Sequence, residues 1–386
     1  MKRILVLLAV LALSSSPLFS QEADEPGRGA GLSVIPRVDI GGIYDGEGES
    51  FAPSFGNTSL YTLFEGNISD KWSFSVANHW IQADGWSGAS FDALKLPSTD
   101  LYHFNFEGNT PNFIDWAYLC FAPGDFEFTI GKQPLLMGGF EFDNYDFDVN
   151  PFMASELWNT YTCYRPAFNA AYNIAAIESQ AVLQLASGPQ GFLSLGLGWN
   201  GTYGPLSIKY SALSYKTQYS NDPNELLLSL GHSLELGDFT LNLDYFNRCG
   251  DPNYLYDDDV TIAFPAVHGH TVVASLLWAP EGKWDAGIKC AFNGVDPEAP
   301  YGFFTDGTVR YPANVIDGTP YLTTDGEVKE QGTINGGAWA SWYPLADSKD
   351  LRIQAAAGLN AYNYSMGGGS LFFTLGATWN FNIKLW

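Results

Sequence analysis

The final stretch of the chain, residues 370–386 with the sequence SLFFTLGATWNFNIKLW, alternates between apolar and polar side chains. One parity is apolar throughout: Leu371, Phe373, Leu375, Ala377, Trp379, Phe381, Ile383 and Leu385. The other parity carries Thr374, Gly376, Thr378, Asn380, Asn382 and Lys384. Successive side chains of a strand point to opposite faces, so this segment has one apolar and one polar face. It exceeds the ~3–10 residues usual in globular strands, whereas a tilted membrane crossing needs ~9–11 residues in the apolar zone. The stretch therefore predicts a strand that crosses a membrane between lipid and water.

The same alternation recurs around 72–80, 193–200, 225–245, 284–293 and 351–360. Each of these segments ends at a turn rich in Gly, Pro, Asp, Asn or Lys. The polar faces of so many strands cannot all lie in one protein core, so they require water inside. We therefore predict an all-β fold, a transmembrane antiparallel β-barrel with a wet interior.

The connections predict the number of strands, because barrels of this class have short periplasmic turns and long outer loops. Seven short turns are predicted, at 69–71, 122–125, 173–178, 200–204, 235–238, 280–283 and 345–350. Eight long loops are predicted, near 45–57, 84–112, 134–160, 188–190, 216–223, 249–266, 295–333 and 365–369. With both termini inside, this gives sixteen strands, and fourteen or eighteen stay open. The least regular strands are 161–172 and 334–345, while Tyr102, Phe104 and Phe106 belong to the second loop or to a further strand.

Residues 1–20 have the features of a secretory signal peptide, because Lys2 and Arg3 precede an apolar run that small and polar residues follow. We expect cleavage before Gln21, a short periplasmic segment over 21–31 and the barrel over 32–386. The alternative is a retained anchor. No second domain is expected.

The composition also favours a membrane barrel. The chain has 27 Phe, 21 Tyr, 12 Trp and 41 Gly but only 18 Lys plus Arg, and its mean hydropathy is −0.06. The hydropathies of polar, lumen-facing residues and apolar, lipid-facing residues cancel in such an average. The four cysteines lack metal-ligand spacing, so we expect buried or lipid-facing thiols, or one adventitious bridge. The histidines His268 and His270 share one strand face without a third metal ligand nearby.

Four features carry a family resemblance: the run WAYL at 116–119, the turn APGD at 122–125, the strand 126–130 and the run GKQPL at 131–135. With the long loop that follows, this segment resembles bacterial porins related to the phosphate-selective porins O and P. The resemblance implies a protein of the bacterial outer membrane, in contact with membrane lipid and lipopolysaccharide, and a homotrimer. It also implies that loop 134–160 folds into the barrel and narrows it.

Charged residues of this loop and its flanks are the candidate pore constriction: Lys132, Glu141, Asp143, Asp146, Asp148 and Arg165. Rings of charge at a constriction select the ions that pass. Acidic residues among aromatic ones, opposite a small basic patch, favour cations or neutral polar solutes such as sugars. Alternatively, the acids solvate a surface loop or bind a stray divalent ion. The acidic run 257–259 in an outer loop is either a divalent-ion site that bridges lipopolysaccharide or a solvated loop.

Lys132 shares the parity of Phe126, Phe128 and Ile130, which face lipid, where a charge would cost about 2–4 kcal/mol at the midplane. We therefore expect a β-bulge at Gly131 that turns Lys132 inward. Pore-wall residues are predicted from parity alone: Arg37, Asp39, Lys209, Asp244, Asp285 and Lys289.

The predicted function is passive diffusion of small hydrophilic solutes or ions, with no cofactor, no metal, no nucleic acid and no catalysis. A channel for phosphate or another anion would need a ladder of basic residues, and a formal charge of −24 argues against it. The alternatives are a substrate-specific anion or polysaccharide channel, an outer-membrane hydrolase, and a secreted β-rich protein that binds carbohydrate.

Overall fold

A computed structural model describes most of the alternating segments of the chain. The described residues are 29–45, 50–54, 58–82, 114–141, 153–155, 157, 164–187, 193–215, 225–250, 253–257, 260–264, 267–295, 331–345, 348–362 and 369–385. The predicted signal peptide, the aromatic run 102–106 and the loop acids Asp143, Asp146 and Asp148 lie outside them.

The described segments are almost entirely β-strands. They are β1 Gly29–Asp45, β2 Ser50–Ser54, β3 Ser59–Ser69, β4 Trp72–Gln82, β5 Ile114–Phe121, β6 Phe126–Pro134, β7 Tyr164–Ile174, β8 Ser179–Ser187, β9 Leu193–Tyr203, β10 Leu206–Tyr215, β11 Glu225–Leu236, β12 Phe239–Gly250, β13 Asn253–Asp257, β14 Val260–Phe264, β15 Val267–Trp278, β16 Trp284–Val295, β17 Gln331–Trp342, β18 Leu351–Tyr362, β19 Gly369–Trp379 and β20 Phe381–Lys384. A 3₁₀ turn, Ala175–Ile177, joins β7 to β8.

In the described part of the chain, no helix has the length and apolar character needed to span a bilayer.

Antiparallel pairing of neighbouring strands closes the sheet on itself. β2 and β3 follow each other along one side of β1, and β19 and β20 follow each other along its other side. If each of these two pairs counts as one wall strand and the separate hairpin β13–β14 is left out, sixteen antiparallel strands form the barrel. The predicted all-β barrel of about sixteen strands is confirmed, including strands β7 and β17.

The closing strand is interrupted once. β1 pairs with β19 from Arg37 opposite Thr378 and with β20 from Val34 opposite Phe381. The interruption, at Asn380, lies opposite Ile35 and next to Pro36, which has no N–H to donate to a neighbouring strand. β1 begins at Gly29, so residues 29–31 belong to the barrel wall and the predicted periplasmic segment extends too far.

The two faces of the wall differ as the alternation predicts. In β19, the side chains of Leu371, Phe373 and Leu375 are 50–56% exposed, whereas Phe372 and Thr374 are 3% and 6% exposed. Large apolar side chains are exposed in the same alternating way on the other wall strands. An exposed apolar band around a closed barrel is a lipid-facing surface.

Aromatic pairs border this band near the ends of the strands that meet at short turns. Trp72 stacks on Phe121 with ring centroids 4.4 Å apart, and Trp379 stacks on Phe381 at 4.8 Å. Rings at this level form an interfacial girdle, which identifies the short-turn side as one membrane surface.

The depth of the lipid-facing band can be tested on one wall strand. We expect Leu375→Arg, in the middle of β19, to destabilise the barrel by about 2–4 kcal/mol. We expect Ile383→Arg, in β20 at the short-turn end of the same wall strand, to cost about 1 kcal/mol or less. Denaturant unfolding in phospholipid vesicles measures both changes. Equal costs at the two positions would contradict the assigned membrane depth.

Candidate pore constriction

The chain leaves the wall after β6 and turns into the lumen. Pro134 ends the strand, and Gln184 of β8 fixes this exit with two hydrogen bonds. Its amide accepts from the Leu136 N–H at 2.8 Å and donates to the Pro134 carbonyl at 2.9 Å. Gln184 is 1% exposed, so the contact is enclosed. The first residues after β6 therefore lie against the inner wall.

Apolar side chains of the loop pack on an apolar patch of the inner wall. The loop contributes Leu135, Met137 and Leu157, and the wall contributes Ala167, Ala186, Leu213, Leu227, Phe246, Val273 and Ala291. All are at most 9% exposed. Burial of this patch stabilises the inward position of the loop, at about 25 cal/mol for each Å² of apolar surface removed from water.

Two glycines let the loop backbone approach the wall closely. Gly138 and Gly139 have φ values of +69° and +74°, a backbone conformation that residues other than glycine rarely adopt. A Cβ on Gly139 would lie 2.7 Å from the Phe246 ring, and one on Gly231 of the wall would lie 2.6 Å from the Gly139 Cα. The Ser229 hydroxyl donates to the Met137 carbonyl at this level. The loop and the wall therefore fit only with small residues at these positions.

A carboxylate of the wall holds the next turn of the loop. Asp244 of β12 accepts hydrogen bonds from the Phe140 N–H at 2.9 Å and from the Glu141 N–H at 2.7 Å. Asp244 is 1% exposed. Hydrogen bonds from backbone N–H groups to a carboxylate are charge-assisted and are about twice as strong as neutral ones. Asp244 thus anchors the loop backbone to the inner wall.

A buried ion pair ties the two described parts of the loop to the wall. Lys289 of β16 donates to Glu141 Oε1 at 2.5 Å and to the Met153 carbonyl. Glu141 also accepts from the Ser155 N–H at 2.8 Å and from its hydroxyl at 2.6 Å. The two charged side chains are 1% and 0% exposed. Because Lys289 balances its charge, Glu141 acts as a structural tie and adds little to the field in the open pore.

Other residues that parity predicts for the lumen also lie on the inner face. The ammonium group of Lys209 is 5.2 Å from the centre of the Phe140 ring. Arg165 pairs across the strands with the buried Gln133 and donates to the Ser187 carbonyl at 3.4 Å. Arg37 and Asp39 are each 5% exposed, next to Val38 at 60%.

A second contact lies near the periplasmic mouth. Asp285 accepts a hydrogen bond from the hydroxyl of Tyr343, in the turn after β17. Burial, together with this carboxylate, raises the pKa of Tyr343 above its ordinary value. The tyrosine therefore stays neutral and remains a hydrogen-bond donor.

The expected bulge at Gly131 is wrong. The register runs without a shift through Gly131 on both of its neighbours, and Lys132 pairs with Ala117 and Pro166. Lys132 therefore keeps the outward parity of Ile130 and is not a constriction residue. Its ammonium group donates to the Ile114 carbonyl at the outer end of β5. There it reaches the membrane surface rather than the midplane, which lowers the cost of its charge.

The register shift in this region lies one strand pair away, between Ala77 and Asn78 of β4, opposite β5. Gly131 has a φ of +134°, yet the register on both sides of it continues without a shift, so the parity of β6 is kept.

The described inner wall carries charges of both signs. Basic residues on it include Arg37, Arg165, Lys209, Arg248, Lys289 and Arg352, and acidic ones include Asp39, Glu65, Glu127, Asp244 and Asp285. Within the described residues, no group of three or more His, Cys, Asp or Glu side chains could hold a metal ion. The described cysteines Cys120, Cys249 and Cys290 are free thiols.

No protein-family model matches the chain, and no curated protein matches its sequence. Solved outer-membrane barrels do match its fold. The outer membrane channel DcaP of Acinetobacter baumannii has a TM-score of 0.57 at 11% identity, over 94% of this chain and 100% of that one. The anion-selective porin from Comamonas acidovorans also has a TM-score of 0.57, at 10% identity over 92% and 100%. In-vitro folded OmpT of Vibrio cholerae has a TM-score of 0.53, at 10% identity over 94% and 100%. These likenesses establish a porin-like fold, while the closer relation to the O and P porins stays a prediction.

The role of Asp244 can be tested by removing its charge. Asp244→Asn keeps the shape but leaves a loop N–H with a poorer acceptor, and an unsatisfied buried donor costs about 1–3 kcal/mol. We expect hydrogen exchange in residues 135–141 to accelerate about tenfold, with exchange in the barrel strands unchanged. Asn242→Ser, two residues earlier on the same face, is the matched control. Unchanged protection in Asp244→Asn would remove Asp244 as the anchor.

The buried pair predicts a non-additive effect on stability. Glu141→Gln or Lys289→Met alone should cost about 3–5 kcal/mol, because each leaves a buried charge without its partner. The double variant should recover most of that loss. Denaturant unfolding of the four proteins gives the coupling, and additive losses would show that the pair is not coupled.

Proposed function

We propose that the protein is an outer-membrane channel through which small hydrophilic solutes and ions diffuse passively. The observation that carries this proposal is a closed barrel with a lipid-facing outer surface, a polar inner wall and a loop anchored inside the lumen. Such a loop reduces the cross-section of the lumen through which solutes diffuse. Diffusion of this kind needs neither a cofactor nor a catalytic group.

The selectivity of this channel follows from which charges remain unbalanced. Lys289 neutralises Glu141, and the inner wall carries both acidic and basic side chains. Neither this ion pair nor the wall charges therefore set a strong preference for cations or for anions. The position of Asp143, Asp146 and Asp148 at the constriction remains a prediction from the sequence. We propose that these acids favour the passage of cations or neutral sugars.

An anion channel is the second candidate. The inner-face arginines, among them Arg37, Arg165, Arg248 and Arg352, support it, and one protein of similar fold is an anion-selective porin. The homotrimer and the contact with lipopolysaccharide are proposals that rest on the sequence resemblance.

Planar-bilayer recording of the purified, refolded protein tests both parts of this proposal. Steady single-channel conductance is expected from the intact barrel, and a folded barrel that never conducts would contradict the channel. In a salt gradient, the reversal potential should indicate cation preference, and neutralising Asp143, Asp146 and Asp148 together should reduce it. Anion preference in the unaltered protein would favour the second candidate.

A further inference from the structure

A row of aromatic side chains runs from β3 to β7, beside the point where the loop leaves β6. Tyr61 and Trp116 face inward, whereas Tyr164 begins β7 on the outward parity of Phe168, and its ring reaches Trp116 at the strand end. The rings of Tyr61 and Trp116 are 6.1 Å apart, and those of Trp116 and Tyr164 are 5.5 Å apart. The planes of successive rings are tilted by 59° and 39°. We call Tyr61, Trp116 and Tyr164 the aromatic row.

The row lies near the long-loop ends of its strands, because β3, β5 and β7 begin at Ser59, Ile114 and Tyr164. Trp116 precedes Ala117, which pairs with Lys132, two residues before β6 ends at Pro134. A solute that enters from the long-loop side would pass these rings.

Hydrogen bonds hold the central ring in one orientation. The Trp116 indole N–H donates to the Ser75 hydroxyl at 2.7 Å, and that hydroxyl donates to Glu65 Oε1 at 2.7 Å. Ser75 is 4% exposed. A side chain fixed before binding loses little conformational entropy when a ligand arrives.

Tyr61 forms the backing of the row. It is 5% exposed, lies in a buried cluster with Ile35, Leu63 and Ala77, and has the Arg37 guanidinium 5.8 Å from its ring centre. Trp116 packs against this cluster. Trp116 and Tyr164 keep part of their surface accessible, so these two rings are the ones that a solute can touch.

We infer that the aromatic row is a binding site for pyranose rings, and thus that the preferred solute of the channel is an oligosaccharide. A pyranose ring has apolar C–H faces, which pack on aromatic rings, and hydroxyl groups around its edge, which need hydrogen-bonding partners. The half-buried rings supply the first surface, and the neighbouring Glu65 carboxylate supplies an acceptor. The inference rests on the proposed channel function and names its solute.

Current block by a linear glucose hexasaccharide tests the site. The sugar should interrupt the single-channel current, and Trp116→Ala or Tyr164→Ala should shorten each block about fivefold, as expected for the loss of one aromatic packing contact. Trp339→Ala is the matched control, because that ring lies against Gly287 on another part of the inner wall. Polyethylene glycol of similar size separates ring packing from simple obstruction.

Two results would overturn the inference: equal block times in the unaltered protein and in Trp116→Ala, or equal block by the polymer and by the sugar. Calorimetric titration of the hexasaccharide into detergent-solubilised barrel measures binding without conductance. Sugar binding by a barrel that does not conduct would contradict the proposed channel alone. A conducting barrel that binds no sugar would contradict the inference alone.

Discussion

The lumen of this barrel is organised by the hydrogen bonds between the Asp244 carboxylate and the backbone of the loop that follows β6. A carboxylate that is 1% exposed needs donors, and the N–H groups of Phe140 and Glu141 provide them at 2.7–2.9 Å. The same turn brings the Glu141 side chain to Lys289, so two buried charges on the wall are compensated by one short segment. Without this segment, Asp244 and Lys289 would face an open, water-filled pore. With it, both side chains are buried between the loop and the inner wall.

Small residues on the wall make this close contact possible. The Leu136 side chain lies over Gly196 and Gly198, and Gly139 lies against Gly231. The glycines weaken the strands, because they add no side-chain packing, but the loop fills the space that they leave. The opposite requirement holds on the outer face, where large apolar residues meet lipid. One wall sequence therefore meets two packing demands on alternate positions.

Much of the fold could be predicted from the sequence. Lipid outside and water inside a membrane barrel require apolar and polar side chains to alternate along each strand, and turn residues mark one end of every strand. The site was less predictable. Parity placed Asp244 and Lys289 inside, but their partners are 103 and 148 residues away in sequence, and no local pattern links them. Gln184 and Ser155 carried no signal at all. Lys132 was misassigned because a charge on a lipid-facing parity suggested a bulge, whereas its position at the strand end lets it reach the membrane surface.

The net charge of the whole chain does not indicate the charge of the inner wall. The chain is acidic overall, yet its inner wall combines arginines and carboxylates, and the buried acid of the loop is neutralised. The position of the loop therefore decides which charges of the inner wall are buried. Disulfide formation between Leu136→Cys and Gly196→Cys, in a protein without its native cysteines, tests it most directly, because the two Cβ positions lie 3.3 Å apart, near disulfide range. We predict nearly complete crosslinking under mild oxidation, whereas thiols that stay reduced in the folded barrel would show that the loop does not lie on this wall.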